Sequence, residues 1–222
     1  MALHLQKEIM KLKKKILSLG TIVEESVRKA VDSLENRDDK LAQQVIDNDY
    51  DIDQQEVDLE EECLKILALY QPVANDLRFV IAVLKINNDL ERIGDLAGGI
   101  AERAKRLAYS DKISFPFDFH KMAERVQLML RNSLDALVGS DLQLANDVCR
   151  SDDEIDAMNR EVYGKVHAGI RSDLAHLEIY IQYIGISRAL ERIADHTTNI
   201  AEDVVYMING AIIRHTEYQN KG

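Results

Sequence analysis

The sequence predicts an all-α fold: six antiparallel helices forming two tandem three-helix bundles related by pseudo-twofold symmetry. Three observations predict it. The 222 residues include only 10 glycines and 2 prolines, too few turn residues to punctuate a many-stranded β fold. Apolar residues recur at helical spacing over long stretches. The second half of the chain repeats the first.

The elements follow in order. Leu5, Ile9, Leu12, Ile16, Leu19 and Val23 step 4-3-4-3-4, a coiled-coil-like seam that continues through Val27, Ala30 and Leu34. NRDDK (36–40) reads as a turn, with Asp38 or Asp39 as N-cap. A second helix is expected over 39–70, ending before Pro72 because the residue before proline disfavours the helical region. A third is expected over 75–109, and SDKISFPFDF (110–119) reads as a linker. The plan then repeats, with helices expected over 118–139, 141–170 and 173–215. The natural division is 1–112 and 113–222, the two repeats together making one compact unit.

The repeat is explicit in the letters. NDLERIGDLAGGIAER (88–103) and RALERIADHTTNIAED (188–203) share 8 of 16 residues at an offset of 100. LAQQVIDNDYDID (41–53) and LANDVCRSDDEID (144–156) share 6 of 13 at an offset of 103. A unit of about 100 residues has been duplicated, which is not the short period of a solenoid.

Composition narrows the function. A net charge of −11 argues against a nucleic-acid surface and suits a protein that collects cations. The longest apolar run, Phe79 to Leu84, is far short of the ~20 residues a membrane span needs. Lys13 to Lys15 ahead of ILSLGTIV sit too far in for a secretion signal, and Glu24 and Glu25 follow where a cleavage site would be, so a cytosolic protein is expected. Cys63 and Cys149 form no C-x-x-C pair and read as core-filling side chains.

The candidate site is acidic. On the second helix Ala42, Val45, Asp49, Ile52, Glu56, Leu59, Cys63 and Ile66 form one heptad stripe, so Asp49 and Glu56 occupy positions that the pattern assigns to the interior. Asp53 follows Asp49 by one turn, and Asp152 and Asp156 match the pair in the second repeat. On the third helix Glu91 and Asp95 lie opposite the apolar seam of Ile86, Leu90, Ile93, Ala97, Ile100 and Ala104; Glu191 and Asp195 match them. Gly98 and Gly99 beside this row are expected to let a backbone or an ion approach, and Thr198 and Asn199 replace them in the second repeat. Like charges one turn apart cost roughly 0.2–0.5 kcal/mol on an isolated helix. No basic residue is expected four positions before or after either member of a pair; a hard, carboxylate-bridged cation would supply the missing charge, and a solvated helix face is the alternative. The candidate metal ligands are Asp49, Asp53, Glu91, Asp95, Asp152, Asp156, Glu191 and Asp195.

Other chemistries fit poorly. No Glu stands three residues before a His, as in di-iron bundles, and there is no phosphate loop, G-x-S-x-G or Cys–His nucleophile pattern. His196 points away from Asp195 and reads as a surface or inter-helix residue. Arg78, Lys85, Arg92 and Arg103, and likewise KLKKK (11–15), read as solvated helix faces. A carboxylate-bridged metalloenzyme of hydrolase type is the alternative to a binding protein; a helical scaffold with merely solvated acids is a third reading.

LERIGD (90–95), LERIAD (190–195) and YQPVANDLR (70–78) resemble the PhoU family of phosphate-uptake regulators over essentially the whole chain. RSDLAHLE (171–178) departs from the proline-bearing turn in the second repeat. The resemblance implies a cytosolic, non-enzymatic regulator that couples the phosphate ABC transporter to a sensor histidine kinase and keeps phosphate-starvation genes off when phosphate is plentiful. It implies contact with the transporter's ATP-binding subunit and with the kinase, reaching the inner membrane only through them. It also implies iron or zinc clusters on the E(D)-x-x-x-D motifs at the eight positions above. A homodimer is expected, with no nucleic acid and no membrane insertion.

Overall fold

The computed structural model describes residues 2–210. Six helices carry the chain: α1 (Ala2–Asn36), α2 (Asp39–Tyr70), α3 (Ala74–Ala108), α4 (Phe119–Gly139), α5 (Leu142–Ser172) and α6 (Leu177–Asn209). There is no strand among the described residues. The expected sixth helix begins later than predicted, because a 3₁₀ turn over Leu174–His176 precedes α6. Residues 211–215 of that expectation lie outside the described residues.

Turn chemistry explains the boundaries. Asp38 caps α2 by accepting from the Lys40 and Leu41 amides at 3.0 Å. Asp118 and Asp141 cap α4 and α5 in the same way. Arg37, Gln71 and Ser140, at φ 52, 46 and 53°, turn the chain sharply after α1, α2 and α4, so successive helices run antiparallel. Pro72 and Val73 separate Gln71 from Ala74, which is also left-handed at φ 48°. The turn between α2 and α3 thus holds two non-glycine residues in a conformation that costs roughly 1–2 kcal/mol each.

Each repeat is a three-helix bundle, and the two share one core. α1, α3, α4 and α6 pack together in the middle, with α3 against α6 and α1 against α4. α2 packs on α1 and α3, whereas α5 packs on α4 and α6, so these two helices lie at opposite flanks. The predicted seam of α3 is entirely buried, and residues 91–100 and 191–200 have the same pattern of burial position by position. Cys63 belongs to this core, and burial pushes its thiol up to about 12.

The basic residues of α3 correct the sequence reading. Arg78, Lys85 and Arg103 do not form a solvated flank but reach α6. Arg78 Nε donates to the Met207 carbonyl at 3.0 Å, and Lys85 Nζ lies 3.1 Å from Oδ1 of Asp203, which is 2% exposed. Arg103 lies over Gly185, where a Cβ would strike its guanidinium, so this glycine makes room for the arginine. His196 Nδ1 and Asp89 Oδ1 meet at 2.8 Å across the same contact, the inter-helix role expected of that histidine. KLKKK is corrected in part: Lys13 crosses to the Val138 carbonyl at 3.1 Å, near the end of α4. The linker also packs, since Phe115 stacks on Tyr183 at 4.5 Å between ring centroids.

Ile93 and Ile193 occupy matched, fully buried places in this core. Ile93→Ala and Ile193→Ala are each expected to cost about 2–5 kcal/mol in urea unfolding, and by similar amounts. A cost confined to one repeat would contradict a core shared equally by both.

Candidate metal centres

The helical period places the carboxylates. On α2 Ile52, Leu59, Cys63 and Ile66 are buried while Asp49 and Glu56 are half-buried in the same stripe. The acids therefore stand in the seam with α3. Gly94 brings the two helices close there: a Cβ on it would lie 3.1 Å from Ile52 Cδ1 and 3.5 Å from Asp49 Oδ1. Asp53 and Asp95 are exposed, and Glu91 is half-buried. In the second repeat Asp152, Asp156 and Glu191 are half-buried, and Asp195 is exposed.

Electrostatics joins the four carboxylates of each repeat into one group. Burial, then Asp53 and Asp95, raise the Asp49 carboxyl above the usual carboxylate range. Burial, then Asp95, raise Glu91, opposed by Arg92, with further upward pressure from Asp53 and Glu56. In the second repeat burial, then Asp195 and Asp156, push Asp152 up to about 6. Glu191 and Asp195 rise for the same reason, burial first and neighbouring carboxylates second.

The expectation that the pairs lack basic partners is corrected. Arg92 Nη1 lies 3.2 Å from Asp95 Oδ2 and its Nε 3.3 Å from Glu91 Oε2. Arg160, four residues after Asp156, lies 3.4 Å from Asp156 Oδ2. These arginines are well exposed, and such pairs contribute at most ~1 kcal/mol. The reading of Gly98 and Gly99 as a point of close backbone approach is also corrected: a Cβ on Gly98 meets nothing within 4 Å, and one on Gly99 only Arg103.

The donor set suits a hard cation. All eight side chains are oxygen donors. Glu91 Oε2 is buried with no hydrogen-bond partner, since Arg92 Nε is near without the alignment of a bond. Thr198 Oγ1, beside the second group, is likewise buried and unbonded. As the side chains stand, no three His, Cys, Asp or Glu among the described residues converge to ligand distance.

Sequence reasoning overlooked one buried polar pair in each seam. Asn87, 1% exposed, donates to the Glu56 carbonyl and to Glu56 Oε1, both at 2.8 Å. Ser187 donates to Asn159 Oδ1 at 2.6 Å in the second repeat. The signal was a polar residue at matched core positions of both copies.

The family model of the PhoU domain matches residues 16–104 and again 119–204. The chain belongs to the PhoU family. It is 35% identical over 209 residues to the phosphate-specific transport system accessory protein PhoU homolog 1 of Thermotoga maritima, covering 93% of this chain and 90% of that protein. It is 37% identical over 201 residues to the Pseudomonas aeruginosa PhoU homolog, covering 90% and 83%. The crystal structure of PhoU from Pseudomonas aeruginosa superposes with a TM-score of 0.86 at 35% identity, covering 93% of this chain and 99% of that one. That of the phosphate transport system regulatory protein PhoU from Streptococcus pneumoniae gives 0.85 at 31%, covering 94% and 99%. These relatives are named as accessory or regulatory proteins, not enzymes, and the chain is of that kind. The hydrolase alternative is set aside with them. No helix among the described residues is long and apolar enough to cross a membrane.

A carboxyl whose folded pKa is raised makes the native state bind the extra proton. Its contribution to stability is gained as pH falls through about 6 and lost as pH rises through it, the opposite of a salt-bridged acid. In chelator, Asp152→Asn is expected to raise the thermal midpoint by a few degrees at pH 7.5 and to flatten its dependence between pH 4 and 6. A lower midpoint at pH 7.5, with the fold intact, would mean that the charge at Asp152 stabilises the chain.

Proposed function

We propose that this protein is a metal-binding adaptor in phosphate signalling, which regulates phosphate uptake and holds phosphate-starvation genes off when phosphate is plentiful. The partners are the ATP-binding subunit of the phosphate ABC transporter and a phosphate-sensing histidine kinase. The chain acts from the cytoplasm as a homodimer and meets the inner membrane through these partners. The names of its relatives support the link to phosphate transport. The observation that carries the metal reading is the gathering of four carboxylates at each of two matched seams, with a buried unbonded oxygen in the first group, Glu91 Oε2, and another beside the second, Thr198 Oγ1.

Asp49, Asp53, Glu91 and Asp95 would hold one iron or zinc centre, and Asp152, Asp156, Glu191 and Asp195 the other. The ion supplies positive charge to carboxylates that otherwise repel across each seam. The chain's own residues fix the rest: the buried seams set the helix spacing, Gly94 admits Ile52 and Asp49, and Asn87 and Ser187 tie the outer helices in register.

Loading with zinc or ferrous iron is expected to raise the melting temperature, by an amount equivalent to about 2.7 kcal/mol at a hundredfold excess over Kd, and chelation to reverse it. Glu91→Ala with Asp95→Ala, and Glu191→Ala with Asp195→Ala, should each remove about half the bound metal by elemental analysis. Both are expected to keep helicity, to bind the transporter ATPase or the kinase less well, and to leave phosphate-starvation genes on in rich phosphate. Normal binding and normal silencing by both folded doubles would show that the carboxylates are not the working groups.

A further inference from the structure

The outer side of α2 carries a feature that neither the duplication nor the carboxylate groups explain. Tyr50, Val57 and Leu64 are spaced by seven, so they lie along one line of the helix, and they are 71%, 47% and 52% exposed. One exposed apolar side chain is ordinary on a protein surface. Three in heptad register over about 21 Å make one of the two rows of a helix-packing seam, and the other row, Asp53 and Glu60, is acidic. The matched places in α5 are Asp153, Arg160 and His167, so the stripe does not belong to the repeat. Since α2 packs only on α1 and α3, no helix among the described residues covers it.

The surroundings of the stripe select a partner by charge. α2 carries ten acids and two lysines, whereas α5 carries six acids and four Lys or Arg. Asp47, Asp51, Asp53, Asp58 and Glu60 make no ion pair within 4 Å among the described residues. Val57 lines a groove of about 420 Å³ with Asp53, Glu56 and Glu60, whose far wall on α3 includes Glu91 and Arg92. The Arg92 guanidinium is already engaged by Glu91 and Asp95, so the groove presents net negative charge. A second copy pairing through this same face would set acid against acid, which is unfavourable. An anionic membrane surface would be repelled likewise.

We infer that the Tyr50–Val57–Leu64 face of α2 docks a basic amphipathic helix of a partner protein, its apolar residues in heptad register and its flanks rich in Lys and Arg. The inference deepens the adaptor reading by giving the chemistry of one partner, and it requires no metal.

The test uses the full chain in chelator and a synthetic helix of about three heptads, with Leu at the a and d positions and Lys at e and g. The peptide is expected to bind in calorimetry, with affinity that falls as salt rises. Val57→Lys with Leu64→Lys should weaken it about tenfold or more, and Tyr50→Lys alone should weaken it measurably. Arg160→Ala, at a matched place on α5, should leave it unchanged. Versions of the peptide with Glu for Lys, or Ser for Leu, should not bind. Equal binding to the folded double variant, or equal binding of the Ser peptide, would overturn the inference. So would a wild-type dimer that dissociates in the double variant, which would make a second copy the occupant. Failure here leaves the metal reading untouched, because chelator is present throughout.

Discussion

The constraint on which the rest depends is the angular offset between two rows of residues on one helix. On α3 the apolar seam and the acidic row lie on different sides of the same cylinder, and α6 repeats the arrangement with the same phase. One side seals the shared core of α1, α3, α4 and α6. The other meets α2 or α5, where the opposing stripe is apolar except at Asp49 and Glu56, or at Asp152 and Asn159. The core therefore determines where the carboxylates stand. They are held in the seam by the burial of Ile52, Leu59, Ile93 and their counterparts, and their mutual repulsion is too small to open it.

That hierarchy of magnitudes explains why a protein can keep such groups. A buried isoleucine contributes a few kcal/mol, whereas each like-charge contact on a half-exposed helix costs a fraction of one. The seams absorb the cost and leave it available to a ligand. A cation held as proposed would relieve that cost and gain binding energy from it. Folding and binding would then be coupled through charge, in both halves of the molecule.

Much of this was legible in the letters because it is periodic. Most helix limits, a cap at Asp38 or Asp39 and the duplication follow from spacing, although the 3₁₀ turn ahead of α6 does not, and Asp49 stands out as an acid in an apolar stripe. What was not legible was mostly contact between residues far apart in the chain. Nothing in the local pattern of Lys85 or Arg78 points to Asp203 or to the Met207 carbonyl, so the basic row looked like a solvated face. The packing of Phe115 on Tyr183 was hidden because the segment around it reads as a loop. Arg160 is different: its place four residues after Asp156 was visible in the sequence, and its ion pair follows from helical geometry alone.

The most direct measurement of the central claim is the titration of individual Asp and Glu carboxyl carbons by NMR, with and without a diamagnetic cation such as zinc. Asp49, Glu91, Asp152, Glu191 and Asp195 are expected to titrate above their ordinary values in metal-free protein, Asp152 at about 6, and the cation to drive all of them down together. Ordinary carboxylate values at these positions, unmoved by the cation, would contradict it.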